Sequence, residues 1–129
     1  MATDVLRTEE VLSNYRRKSS TPGFDIKKFS LLDLPHVKDW KYWVLVENEF
    51  PYDKISVRHS LLVPRRHFTE DENMSSDERQ ELFFIKAEFK MSKEFDAILE
   101  NIKHNRTVPD IYHIHCFKFK FRTPVSDLQ

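Results

Sequence analysis

The stretch Asp110-Ile111-Tyr112-His113-Ile114-His115-Cys116-Phe117 sets two of the chain's six histidines one residue apart in an otherwise apolar run. From Ile111 to Phe121 the residues are largely β-branched and aromatic, with no internal Gly or Pro, and that composition predicts a strand. Side chains alternate across a strand. Ile111, His113, His115, Phe117, Phe119 and Phe121 therefore share one face, and Tyr112, Ile114, Cys116, Lys118 and Lys120 the other. The second face turns from apolar to cationic halfway, so the first half of the strand is expected to be buried on both sides and the second half exposed on one. Two imidazoles in a buried half-strand are costly to desolvate unless they are hydrogen-bonded, bind a ligand or do chemistry. The pattern leaves two readings open: a pair of satisfied core histidines, or a site.

Working outward, 129 residues make one domain, long enough to bury a real core. Apolar residues at 40%, aromatics at 13% and eleven Phe indicate a folded chain. Lys+Arg and Asp+Glu both number 21, and a balanced chain has no non-specific grip on nucleic acid or anionic membrane. Any anionic ligand must be held locally. The single cysteine, Cys116, excludes an intramolecular disulfide and a Cys-rich zinc site and fits a reducing, cytoplasmic setting. No stretch approaches the roughly 18 apolar residues of a membrane span, and Met1 to Glu10 has no apolar core segment. With Gly23 the only glycine, glycine-rich phosphate loops are excluded, and phosphate must be met by side chains or a helix N-terminus.

Along the chain, Val5, Leu6, Val11, Leu12 and Tyr15 recur at helical spacing between Asp4 and Lys18, predicting a docking helix or arm that Ser19-Ser20-Thr21-Pro22-Gly23 ends. Phe24, Ile26 and Phe29 outline an edge strand, and Pro35 interrupts before His36, which is given a surface or packing role. Trp43-Val44-Leu45-Val46 and Ser60-Leu61-Leu62-Val63 read as neighbouring core strands, with the loop residues Phe50-Pro51-Tyr52-Asp53 between them. Arg65-Arg66-His67 follows Pro64 as a solvated turn, with an anion contact as the other reading. Ser75 and Glu78 form a capping box, and from there to about Asn101 an apolar stripe of Leu82, Phe84, Ile85, Phe89, Met91, Phe95, Ile98 and Leu99 predicts a long helix covering the sheet. A polar connection, Asn101 to Thr107, returns the chain to the histidine strand.

The order of these pieces resembles the histidine-triad (HIT) family of nucleotide hydrolases and transferases. The matching stretches are Leu45-Val46-Glu47-Asn48-Glu49-Phe50-Pro51, His59-Ser60-Leu61-Leu62-Val63-Pro64-Arg65-Arg66-His67, the capped helix, and His113-Ile114-His115. The resemblance runs from about Trp43 to Phe117, outside residues 1–40. It implies an α+β fold, a HIT-like antiparallel sheet covered by a long helix. Residues 1–129 are then a single domain, with 1–40 an N-terminal helical extension and 41–122 the core. The family's signature alternates three histidines with apolar residues, and this chain has two, so two placements are possible. In the first, Ile111 replaces the first histidine, His113 is central and His115 third; Tyr112, Ile114, Cys116 and Phe117 then satisfy the apolar positions. In the second, His113 is first, His115 central and Phe117 third, and Lys118 falls at an apolar position. The first fits the apolar code throughout and is preferred.

The resemblance implies that the central histidine attacks the α-phosphorus of a nucleotide, forming a nucleotidyl-histidine that water or another acceptor resolves. His113 takes that role, and His115 contacts phosphate and assists the leaving group. Asn48 matches the residue that binds the ribose hydroxyls, and His59 matches the histidine opening the second strand. Asn101 and Thr107 match phosphate-contacting residues. Arg58 stands where the family has Gly, and His67 is assigned a structural role. Substrates implied are a nucleotide phosphoanhydride, phosphoramidate or dinucleoside polyphosphate, with no cofactor and a homodimer as the commonest assembly. Two further readings compete: a nucleotide-binding or regulatory protein whose chemistry was lost with Ile111, and a metal site using both histidines.

Overall fold

The computed structural model describes residues 6–20, 31–100, 102 and 111–120. The sequence-assigned positions Asn101 and Thr107, and the edge strand expected through Phe24, Ile26 and Phe29, lie outside the described residues.

Five strands make one antiparallel sheet: β1 (His36–Asp39), β2 (Trp43–Glu47), β3 (Ser56–Pro64), β4 (Ala97–Leu99) and β5 (Ile114–Phe119), in the order β1-β2-β3-β5-β4. Two α-helices accompany it, α1 (Glu9–Ser19) and α2 (Ser76–Ser92), so the class is α+β. β1 is an exposed edge strand, and with the 3-10 turn Leu31–Asp33 it extends the sheet beyond the boundary drawn at residue 41. His36 is exposed there, bonded to the Leu32 carbonyl and the Asp39 carboxylate.

The central strands β2, β3 and β5 carry the core because their sequences are apolar on both faces. Trp43, Leu45, Leu62, Tyr112, Ile114 and Cys116 form one cluster with Leu82, Ile85 and Phe89 of α2. Val44, Val46, Leu61 and Val63 point to the other face, where Leu31 and Leu34 cover them. Histidine placement follows from this alternation. His59 lies opposite Phe117 and Leu61 opposite His115 in the β3–β5 register, so all three odd-numbered site rings face away from α2.

α2 starts where its capping box predicts, with Ser75 accepting from the Glu78 N–H and the Glu78 carboxylate accepting from the Ser75 N–H at 2.7 Å. It ends nine residues before the expected Asn101. Lys93 turns left-handed at φ 58° while its N–H closes on the Phe89 carbonyl, and the chain reverses. Phe95 packs back on Phe89, and Ala97–Leu99 joins the edge of β5. Ile98 and Leu99 continue the helical period of the apolar stripe, since residues three or four apart suit a helix face, but the sheet edge offers them backbone partners in β5. The stripe is also narrower than expected: Glu78, Leu82, Ile85 and Phe89 are buried, while Phe84 and Met91 are 59% and 85% exposed.

Arg65 and Arg66 are turn residues held by acids, Arg65 on Asp39 at 2.8 Å and Arg66 on Glu78 at 2.7 Å. No described helix is long and apolar enough to cross a membrane.

Candidate active site

His113 and His115 reach the same face of the sheet and are 5% and 6% exposed. His59, from β3, joins them. Its Nε2 lies 2.8 Å from the Nδ1 of His115, and the His115 and His113 ring centroids are 5.1 Å apart. Three histidines therefore cluster in space although the alternating motif holds two.

The protons in this cluster can be placed by following the groups that only donate or only accept. The backbone N–H of Tyr52 donates to His59 Nδ1 at 3.0 Å, so that nitrogen holds a lone pair. Burial, reinforced by the neighbouring His115, Arg7 and His113, pushes His59 down to about 2, and the ring is neutral with its proton on Nε2. That N–H donates to His115 Nδ1. His115 is pushed down to about 3, chiefly by burial and then by His113 and Arg7, so it too is neutral and carries its proton on Nε2. His113 is held the opposite way. Its Nδ1 donates to the Ile111 carbonyl at 2.9 Å, and in the neutral ring the lone pair is on Nε2. The two neutral rings thus differ at Nε2, which holds a lone pair on His113 and an N–H on His115.

Asn48 sits where β2 runs into the following loop. Its Oδ1 accepts from the Phe50 N–H at 3.0 Å, closing the turn, which places the amide nitrogen toward His59 at 3.1 Å. In this structure Asn48 and His59 therefore support the histidine pair from behind. Ile111 contributes its carbonyl to His113 and its side chain to the apolar cluster around Val44 and Leu61.

Tyr52 had been read only as part of a loop. Its ring stacks on His115 at 5.5 Å and Phe117 at 5.8 Å and tilts against His59 at 4.6 Å. Arg7, also missed, lies over the other participant in this stack, its guanidinium carbon 4.6 Å from the Tyr52 ring centroid. Neither belongs to a periodic pattern, and each is far in sequence from the histidines. The Pro-Tyr-Asp loop chemistry and the isolated Arg held no signal for them.

Among the described residues, the one group of three close potential ligands is Glu70, Asp71 and Glu72, which contains no histidine.

Neither a protein-family model nor a curated protein matches the chain. Among solved structures, a histidine triad protein from Clostridium difficile aligns with a TM-score of 0.52 at 16% identity, covering 71% of this chain and 85% of that one. The chain has the histidine triad fold. That likeness concerns backbone architecture.

Proposed function

We propose that this protein acts on a nucleotide through a histidine nucleophile, forming a nucleotidyl-histidine on His113. The observation that supports it best is the opposed tautomers of His113 and His115. In the first step the Nε2 lone pair of His113 forms a bond to the α-phosphorus, and the bond from phosphorus to the leaving oxygen breaks with its electrons on that oxygen. His115 donates its Nε2–H hydrogen bond to the phosphoryl or departing oxygen. In the second step water attacks phosphorus, the nitrogen–phosphorus electrons return to His113, and the water proton passes to solvent.

His115 gives a hydrogen bond and keeps its proton, because burial disfavours the imidazolium that would serve as an acid and loss of the one N–H from the neutral ring would leave an imidazolate. The site therefore favours leaving groups that depart as stable anions, such as the phosphate or pyrophosphate of an anhydride, over the amine of a phosphoramidate. Asn48 and His59 are retained as ribose-side residues only if the loop 48–52 opens, since both are engaged with each other here. Asn101 and Thr107 keep the phosphate-contact roles implied by the resemblance. A reducing, cytoplasmic compartment suits the buried Cys116 thiol.

The second reading, a nucleotide-binding protein without turnover, is favoured by the burial of both histidines. Rapid quench with a labelled nucleoside di- or triphosphate separates the two. An acid-labile, base-stable label on the wild-type protein, absent in His113→Ala and reduced about 100-fold in rate in His115→Ala, is the expected result. Label retained in His113→Ala and lost in His115→Ala reverses the two roles. Binding without label supports the non-catalytic reading.

A further inference from the structure

Residues 6–20 lie outside the family resemblance, yet they contact the loop that governs the histidine pair. The Arg7 Nε donates to the Phe50 carbonyl at 2.9 Å, and its guanidinium packs on Tyr52 and, at 5.2 Å, on Tyr15. Thr8 donates twice to the Asp53 carboxylate, from its N–H at 2.8 Å and its hydroxyl at 2.7 Å. The Lys54 N–H donates to the Leu6 carbonyl at 3.0 Å, Tyr15 meets Phe50 edge-on, and Lys18 pairs with Glu49. Almost every residue from Glu49 to Lys54 is thus gripped by the arm. This is the segment whose Tyr52 N–H assigns the proton of His59, and through it that of His115.

We propose that Arg7 is a positioning residue for the His59–His115 pair, which makes the N-terminal arm a working part of the site. It acts through two physical routes. Held on Phe50 and Tyr52, it fixes the loop so that the Tyr52 amide aims at His59 Nδ1. Its charge opposes protonation of both rings, and among the described residues the other titratable groups facing them are His113, just before β5, and the Tyr52 phenol from the loop. Removing Arg7 leaves the rings buried but releases the amide and the repulsion together. The consequence for phosphate chemistry rests on the function proposed above, whereas the positioning itself does not.

The test needs no substrate. Long-range proton–nitrogen spectra of the full-length, nitrogen-15-labelled chain report the tautomer and titration of each imidazole, and thermal unfolding reports the fold. The wild type should show single neutral tautomers at His59 and His115, each with the proton on Nε2. Arg7→Gln should show averaged tautomers at both rings and titration midpoints raised by about half a pH unit or more. Arg7→Lys, which keeps the charge and loses the flat guanidinium on Tyr52, should keep the low midpoints with averaged tautomers. A folded Arg7→Gln with wild-type tautomers and midpoints overturns the proposal, as does a wild type with mixed tautomers. Should Arg7→Gln not fold, Arg7→Lys decides: unchanged tautomers overturn it, averaged tautomers uphold it. Absence of nucleotide turnover would sink the functional reading and leave these spectra unaffected.

Discussion

His113 and His115 are chemically identical side chains two residues apart, and their tautomers diverge because of what touches Nδ1. A carbonyl that only accepts sits on one, and a ring that donates sits on the other. The price is acid sensitivity. His59 and His115 titrate at about 2 and about 3 in the folded chain, against 6.5 when solvated. Below pH 6.5 the unfolded chain therefore binds protons that the folded chain refuses, and stability falls as pH falls, by up to about 1.4 kcal/mol per pH unit for each ring. His36 works in the reverse direction, its folded value raised by the Leu32 carbonyl and Asp39, but it is exposed and its effect is small. The carboxylates held low, Asp39, Asp53 and Glu78, enter only near and below their ordinary values of 3.8 and 4.5. Urea midpoints measured between pH 7.5 and 5 should thus stay nearly level down to about pH 6.5 and then drop, less steeply in His59→Gln. A wild-type midpoint flat across that window contradicts the neutral, buried assignment.

At the scale of elements, each piece is ended by a specific contact. Ser75 and Glu78 start α2 reciprocally, and Glu78 also takes Arg66 and receives Trp43 Nε1–H on its backbone carbonyl, joining helix, turn and β2. Ser75→Ala removes the cap and should cost about 1 kcal/mol, read as a lower unfolding midpoint at unchanged denaturant slope. A change in the slope instead points to altered compactness. The helix end was misread because capping at a C-terminus leaves little mark when a lysine, Lys93, occupies the left-handed position usually given to glycine. The histidine stretch does form a strand, but a shorter one than the composition from Ile111 onward implies. β5 spans Ile114–Phe119, because the Tyr112 N–H bonds the Phe68 carbonyl at 2.9 Å instead of a sheet partner, and Ile111 to His113 lead into the ladder from outside it. Ile114 to Phe117 are buried, and Lys118 and Phe119 are half-buried on opposite faces.

At the scale of the molecule, stability should be graded across the sheet. β2 and β3 contribute to apolar clusters on both faces and β5 to the larger one through Ile114 and Cys116, while β1 and β4 are short, exposed edges. Amide exchange is expected to be slowest in β3, which pairs with strands on both sides, and fast in β1 and β4 through local opening. Equal protection in β1 and β3 would contradict this. Trp43, fully buried against α2 and β5, is a cornerstone of the larger cluster, and Trp43→Ala should cost about 3–5 kcal/mol, a large share of the stability of a domain this size. Thermal unfolding followed by circular dichroism checks it, and a shift of only a degree or two would show that the site collapses without loss.

The sequence by itself determined which residues face which way on the histidine strand, where the long helix begins, that two apolar runs become central strands, and that His113 and His115 share a face. These are properties of local period and of backbone geometry, which neighbours only confirm. The tertiary structure decided the rest. It brought His59 from another strand to His115, set the Tyr52 amide on His59, and laid Arg7 over Tyr52, contacts between residues 45 to 56 positions apart or formed at a loop with no period. A proton's place on an imidazole depends on which nitrogen meets a donor, and that is fixed only when the strands pair and the arm closes on the loop.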